Sequence, residues 1–296
     1  MVQSFDIYVE QRISKLAVAR LLDTIPSFLA YAKRAAPEAP WLREDLWKEQ
    51  YHSAHPEVFE AYAIHQGEPA PRHLSHRLYT VRQTVERAAA LWPAILEEAE
   101  PRVRKLLEAE DVVSPLHVLM VGTFTTNAFV GRLGSEPAVF WCLEWFSNPE
   151  PARVLVAHET AHAFHQELLG TAPPDHDLAW TCLFEGLAVQ ASREAFPGRP
   201  EEEYFWYGMG GFEDWLTWYR EHRGDLLAIF RQALEEEDPR AVETLFEGGQ
   251  VEGHWRTGFF VADEVVGALR RPMRELARLD PDEARRRIRE GLASLT

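Results

Sequence analysis

Residues 158–170 read HETAHAFHQELLG, and His158 and His162 lie four positions apart within this helical pattern. In an α-helix that spacing puts both imidazoles on one face, about 6 Å apart along the axis. Glu159 lies at the edge of the same face, where its carboxylate can take a proton from water held by a metal ion. This combination predicts a zinc site. The alternative is a satisfied pair of core histidines with Glu159 at a solvent edge.

A zinc site needs a third protein ligand. The pattern that supplies a third histidine six residues after the second does not occur, because Leu168 stands there. Glu185 is the better candidate, since it lies in the apolar segment LFEGLA and a buried glutamate is rare without a partner. A helix that turns back across the loop at residues 172–177 would return it to the histidines. Glu194 is the competing carboxylate, but it lies beside Arg193 near a Pro-Gly stop, where we expect exposure.

HETAH followed by FEGLA resembles the gluzincins, the thermolysin-like superfamily of zinc peptidases, and more narrowly bacterial predicted zinc-dependent proteases of unknown substrate. The resemblance covers about residues 139–266 and includes a later glycine–aromatic helix, here the segment TGFFV at 257–261. It implies one Zn²⁺ per chain on the three ligands named above, with Glu159 as general base and a peptide or protein as substrate. The Gly-x-Met-Glu-Asn element of zinc aminopeptidases is absent, which weakens an exopeptidase interpretation.

Two other functions compete with the peptidase hypothesis. One is a catalytically silent zinc-binding or interaction module, which would hold the metal without turnover. The other is a metal hydrolase that acts on non-peptide amides or esters. Replacement of Glu159 by glutamine distinguishes the peptidase from the silent module, since a hydrolase should keep its zinc and lose turnover. A substrate screen distinguishes the peptidase from the non-peptide hydrolase.

A second polar group usually helps to carry the negative charge that develops on the scissile carbonyl. His254 and Arg256 are candidates because they flank Trp255 just before a helix. Tyr207 is a third candidate and Tyr204 an alternative, both in an aromatic segment.

Two further histidines receive less weight. His165 lies about two turns after the first histidine of the motif, and we expect it to pack near the ligands rather than to bind the metal. His176 lies in a proline-containing loop, where we expect exposure.

The hydrophobic patterns predict an α+β fold that is predominantly α-helical, with a small mixed sheet packed on the HExxH helix and a helical C-terminal half, as in zincins. We divide the chain into an N-terminal helical region (1–112), a zincin-like catalytic domain (113–271) and a C-terminal helix (272–296). These three parts can also form one compact unit.

Five segments carry more specific expectations. The periodicity of residues 7–29 predicts a helix that bends or ends near Pro26. Strands are expected at 116–121 and 139–146, with a third between them. The strand at 139–146 is a candidate edge strand to which, as the resemblance implies, a peptide adds; the alternative is an ordinary strand of the sheet. The aromatic segment from residue 204 onward is either a mobile wall beside a cleft or an ordinary part of the core.

Composition and charge exclude several classes of protein. The chain has 296 residues, of which 47 are acidic and 31 basic, so its formal net charge is −16. This balance argues against nucleic-acid or anionic-membrane binding, since both depend on basic residues at phosphates. Cys142 and Cys182 cannot form a disulfide framework. Without a visible secretory signal or a membrane-length apolar run, we expect a cytoplasmic protein; the oligomeric state is not indicated.

Overall fold

The computed structural model describes residues 19–67, 75–170, 174, 176–212 and 214–295. It is an α+β structure, mostly helical, with a small mixed sheet, as predicted. The strands are β1 (Arg20–Asp23), β2 (Leu116–Met120), β3 (Ala128–Leu133), β4 (Glu136–Cys142), β5 (Gln250–Val251) and β6 (His254–Trp255). Within the described ranges we find no helix whose length and apolar character would let it cross a membrane.

The described residues also form fourteen α-helices. In chain order they are α1 (Ile25–Ala35), α2 (Pro40–Gln50), α3 (Pro56–Gln66), α4 (Ser75–Leu78), α5 (Arg82–Leu107), α6 (Ala152–Leu169), α7 (Leu178–Ala195), α8 (Glu203–Trp206), α9 (Trp215–Glu221), α10 (Arg223–Glu236), α11 (Ala241–Phe246), α12 (Gly258–Ala268), α13 (Met273–Leu276) and α14 (Pro281–Ala293). Three of the longer ones, α2, α3 and α14, begin with a proline, whose fixed φ suits the first turn.

The main sheet has the strand order β1-β2-β4-β3. Strands β1, β2 and β4 are parallel, and β3 runs antiparallel to β4. The predicted strands at 116–121 and between 123 and 134 are confirmed as β2 and β3. The prediction that 139–146 is an edge strand is wrong, because β4 lies between β2 and β3 and ends at Cys142. Its residues Val139–Cys142 are fully buried, which is typical of an internal strand; the edge beside α6 is β3.

The predicted helix at 7–29 is wrong at residues 20–23, which form β1, and is confirmed at residues 25–29, which begin α1. Residues 7–18 lie outside the described part of the chain, and β1 then pairs with β2. Pro26, expected to end a helix, instead lies in the first turn of α1. The Asp23 carboxylate accepts a hydrogen bond from the Ile25 backbone N–H at 2.9 Å, which stabilises this start.

One hydrophobic cluster fills the molecule. It extends from Ile25 to Leu292 and includes fully buried aromatic side chains such as Phe28, Trp92 and Phe140. Helix α6 packs against α5 and α7 and against strands β3 and β4. The HETAH segment therefore lies on a buried helix beside the free edge of the sheet.

Candidate metal centre

The chain reversal between α6 and α7 brings the candidate ligands together. Helix α6 is followed by Gly170 in the left-handed conformation (φ 64°), which ends a helix without a Cβ clash. Helix α7 begins at the Asp177 cap, whose carboxylate accepts from the Trp180 backbone N–H at 3.0 Å. Further along, the Ser192 hydroxyl donates to the Val154 carbonyl at 3.1 Å and ties the two helices together.

The three predicted ligands converge on one point. His162 Nε2 lies 3.0 Å from His158 Nε2, and Glu185 Oε2 lies 3.2 Å from His158 Nε2 and 3.3 Å from His162 Nε2. Donor atoms held 2.0–2.1 Å from one tetrahedral zinc ion are about 3.3 Å apart. The observed separations therefore fit a single ion of this size. The other ring nitrogen of each histidine, Nδ1, is buried and has no hydrogen-bond partner among the described residues.

Burial and charge set the protonation of these groups. Burial and the nearby His162 together lower the pKa of His158 to about 4, although Glu185 raises it, so this imidazole is neutral at pH 7. Burial raises the pKa of the Glu185 carboxyl, but the two imidazoles outweigh burial and hold that pKa well below its usual range. Burial also lowers the pKa of His162, but the Glu185 carboxylate outweighs it and the net pKa is raised. A proton and a metal ion would compete for His162 Nε2.

Glu159 faces the same cavity as the three ligands. This central cavity has a volume of about 260 Å³ and is lined by both histidines, by Glu185 and by Glu159. Burial raises the pKa of the Glu159 carboxyl to about 7. Because its carboxylate bonds to none of the ligands, it is free to act on a molecule in the cavity.

Two of the three predicted charge-stabilising donors also reach the central cavity. Tyr207 and Arg256 line it, and the Tyr207 ring lies 5.7 Å from the His158 ring. Burial raises the pKa of the Tyr207 hydroxyl, although Arg256 lowers it, so the hydroxyl keeps its proton. Both residues have positive φ, 54° and 58°, and strained backbone of this kind clusters at functional sites.

His254 is placed elsewhere. Its ring stacks on Trp218 with centroids 3.7 Å apart, and its Nδ1 lies 3.1 Å from the Glu252 carbonyl oxygen. It does not line the central cavity, so the structure does not support its assignment as a donor. The stack on Trp218 holds the His254 side chain away from the cavity. Its closeness to Arg256 in the sequence does not determine on which side of the β5–β6 hairpin its side chain lies.

The remaining sequence candidates are also outside the cavity. The Tyr204 hydroxyl is buried and donates to the Phe196 carbonyl at 2.7 Å. His165 is fully buried against Trp180 and Phe184, and burial lowers its pKa to about 3. Glu194 and His176 are exposed.

The residues that hold the loop between β2 and β3 were not predicted from the sequence. The buried Glu144 carboxylate accepts from the backbone N–H groups of Gly122 at 3.1 Å and Phe124 at 3.2 Å. The Tyr62 hydroxyl, from α3, accepts from the Thr123 backbone N–H at 3.2 Å. This loop ends at Asn127, which lines the central cavity. Glu144 could have been found from the sequence, because it is the one acidic residue in the apolar run VFWCLEWF and a buried carboxylate needs hydrogen-bond donors.

No family model, no curated protein and no solved structure matches this chain. The interpretation of the site therefore depends on its own side chains. The gluzincin resemblance stays a prediction from the HETAH and FEGLA segments.

Proposed function

We propose that the protein is a zinc-dependent peptidase of gluzincin type. The observation that supports this most is the convergence of His158, His162 and Glu185 within 3.3 Å of one another, with Glu159 facing the same cavity. A structural zinc site is closed by four protein ligands, whereas a catalytic site has three and an open position. The described residues offer three ligands in this cluster, as a catalytic site requires.

The donor set fits zinc. Two imidazole nitrogens and one carboxylate oxygen form a ligand set that recurs in catalytic zinc sites. When bound, zinc would lower the pKa of water and polarise the substrate carbonyl. Proteins select zinc partly through such mixed nitrogen and oxygen ligands, whereas calcium and magnesium prefer oxygen alone.

The chain's own residues supply proton transfer and charge stabilisation. The Glu159 carboxylate takes a proton from the attacking water and later gives it to the leaving amine. The Tyr207 hydroxyl and the Arg256 guanidinium donate hydrogen bonds to the carbonyl oxygen as negative charge develops there. Both groups line the cavity that the three ligands and Glu159 also line.

Strand β3 gives a polypeptide a place to bind. It is an edge strand, so every second backbone N–H and C=O along it points away from β4. Ala128 and Val130 of this strand line the central cavity. An extended peptide that adds to β3 would therefore pass directly over the ligands.

Glu159→Gln tests the proposal. We expect the variant to keep its zinc and to cleave a broad peptide mixture at least 100-fold more slowly, which is the usual contribution of a general base. Glu194→Gln is the matched control, because it makes the same chemical change at an exposed carboxylate outside the cavity. Equal rates in all three proteins, or no cleavage by any of them, would favour a silent zinc-binding module. Turnover of ester or amide reporters alone would identify the non-peptide hydrolase.

A further inference from the structure

The central cavity shares lining residues with two larger cavities. One, of about 880 Å³, shares Val130 and Gln166 with it. The other, of about 480 Å³, shares Asn127, Tyr207 and Arg256 with it. We call these the acidic cavity and the aromatic cavity. The shared residues make the three cavities neighbours along β3, with the candidate metal centre in the middle one, and we call the three together the groove.

The aromatic cavity is lined by half-buried apolar side chains. Trp145, Met209, Phe212 and Trp255 face it, and the Phe212 and Trp255 rings lie 5.8 Å apart. None of these four is charged, and Arg256 stands at the boundary with the central cavity. Apolar walls of this kind recognise a large apolar side chain, because its burial removes apolar surface from water.

The acidic cavity has the opposite character. Glu57 and Glu60 of α3 and Glu167 of α6 line it, against a single cation, Arg132. Arg132 pairs with Glu167 at 3.3 Å, whereas Glu57 and Glu60 are exposed and form no ion pair with any described residue. The C-terminal end of α6 adds partial negative charge at Gly170. This half of the groove therefore favours a cation.

Helix α3 is held against β3 by a close contact. A Cβ on Gly131 would lie 2.6 Å from His65 Nε2, so the His65 ring of α3 packs directly against this glycine. The His65 ring packs on Phe129 with centroids 5.0 Å apart. Ile64 beside it is 76% exposed and faces the acidic cavity. An N-terminal helix thus forms one wall of the groove, with the free edge of β3 between it and α6.

The direction of β3 gives the groove a polarity. The strand starts beside the aromatic cavity, after Asn127, and runs past Val130 to Arg132 in the acidic cavity. Antiparallel pairing is slightly more stable than parallel pairing. A peptide paired antiparallel to β3 would have its N-terminal half in the acidic cavity and its C-terminal half in the aromatic cavity.

We infer that the groove binds the interior of an extended polypeptide, with basic residues on the N-terminal side of the metal centre and a large apolar residue on the C-terminal side. This inference rests on the proposed function for the position of the scissile bond. It assigns α3 as a substrate-binding element and makes the enzyme an endopeptidase, since a neighbouring cavity lies beyond the metal centre toward each end of β3.

Peptide binding to the full-length Glu159→Gln variant, which does not require turnover, tests the inference. The probe is a fluorescent ten-residue peptide with two lysines in its N-terminal half and a phenylalanine in its C-terminal half. Replacement of both lysines by glutamine should weaken binding roughly twofold to tenfold, and added salt should remove that difference. Replacement of the phenylalanine by alanine should weaken binding about tenfold.

Variants of the protein test whether the acidic cavity causes the preference for lysine and the aromatic cavity the preference for phenylalanine. Glu57→Gln with Glu60→Gln should abolish the preference for lysine, whereas Glu86→Gln with Glu97→Gln, the same charge change on the exposed face of α5, should keep it. Phe212→Ala should reduce the preference for phenylalanine. Met209→Ala provides a second, less disruptive change of the same wall. An unchanged lysine preference in the α3 variant would overturn the role of that helix.

Photocrosslinking determines the direction in which the peptide lies in the groove. A photoreactive group at the peptide N-terminus should label residues 57–64 or 167, and one at the C-terminus should label 209–212 or 255. The reversed pattern, or labelling outside the groove, would overturn the inference. Cleavage with the expected zinc dependence but without this pattern would leave the proposed function standing and reject the groove assignment. The expected labelling, together with no cleavage by the wild type, would support the groove assignment and reject the proposed function.

Discussion

Glu144 shows how one buried residue shapes the cleft from a distance. Its carboxylate is 4% exposed and holds the backbone of the β2–β3 loop, which leads to Asn127 in the central cavity. Burial raises the pKa of this carboxyl to about 7, although the backbone donors lower it. The folded protein therefore binds this proton more tightly than the unfolded chain does.

The stability conferred by Glu144 should depend on pH. Because the folded pKa is raised, its contribution is fully present below about pH 4.5 and is lost as the pH rises through about 7. Relative to Glu144→Gln, the free energy of unfolding of the wild type should fall by about 3 kcal/mol between pH 5 and pH 8. Urea titrations across this range measure it. The exposed Glu97→Gln variant should show no such trend, and a rising difference for Glu144 would contradict the assignment.

Side chains whose chemistry is unusual for their surroundings were the ones whose convergence could be predicted from the sequence. Two histidines and a glutamate in apolar segments are costly without partners, and His158, His162 and Glu185 do meet, as predicted. Tyr207 and Arg256 were candidates only alongside His254, because nothing local to the sequence fixes which of them faces the cavity. The stacking of His254 on Trp218, 36 residues earlier in the chain, is a tertiary contact that periodicity does not encode.

Among the elements, strands were harder to place than helices. Helices α6, α7 and α14 follow from their apolar spacing and from their caps, which are local signals. Strand β1 depends on pairing with β2, almost 100 residues later, and its four residues have no strong pattern of their own. The order of β4 and β3 in the sheet likewise reflects pairing between distant segments, so the edge position could not be predicted from β4 alone.

The crossing of α7 and α12 is the element contact on which Glu185 depends most. A Cβ on the neighbouring Gly186 would lie 2.4 Å from the Ala262 carbonyl oxygen and 2.5 Å from Val266 Cγ2. Helix α7 can therefore approach α12 this closely only with glycine at this position.

Gly186→Ala should push these helices apart. We expect the free energy of unfolding to fall by about 1–3 kcal/mol, the usual cost of overpacking. Gly224→Ala in α10 is the matched control, because nothing lies within 4 Å of a Cβ there. That change should be neutral or stabilise the protein by up to about 1 kcal/mol. Chemical denaturation compares them, and equal effects of the two substitutions would contradict the packing account.

Across the whole molecule, the N-terminal helices, the sheet and the C-terminal helix share one core. Strand β1 belongs to the same sheet as β2 and β4, and α14 packs against α7 and α12. Arg278 joins distant parts of the chain, since its guanidinium donates to the Leu107 carbonyl at 2.9 Å and to the Glu108 carbonyl at 2.7 Å. These contacts favour one compact unit over three separately folding regions.

A single cooperative unfolding transition should follow from this shared core. Tryptophan fluorescence and far-ultraviolet circular dichroism should report the same midpoint in urea. Two separated transitions, with the early one confined to residues 19–107 in hydrogen exchange, would show instead that the N-terminal helices fold independently.

Metal content tests the central claim, which is that two helices hold one zinc ion through three side chains. The purified protein should contain about one zinc per chain by elemental analysis. His158→Ala and Glu185→Ala should lose it, whereas His254→Ala, which changes a histidine outside the cavity, should keep it. Zinc at the same stoichiometry in all four proteins, or none in the wild type after loading, would contradict the assignment.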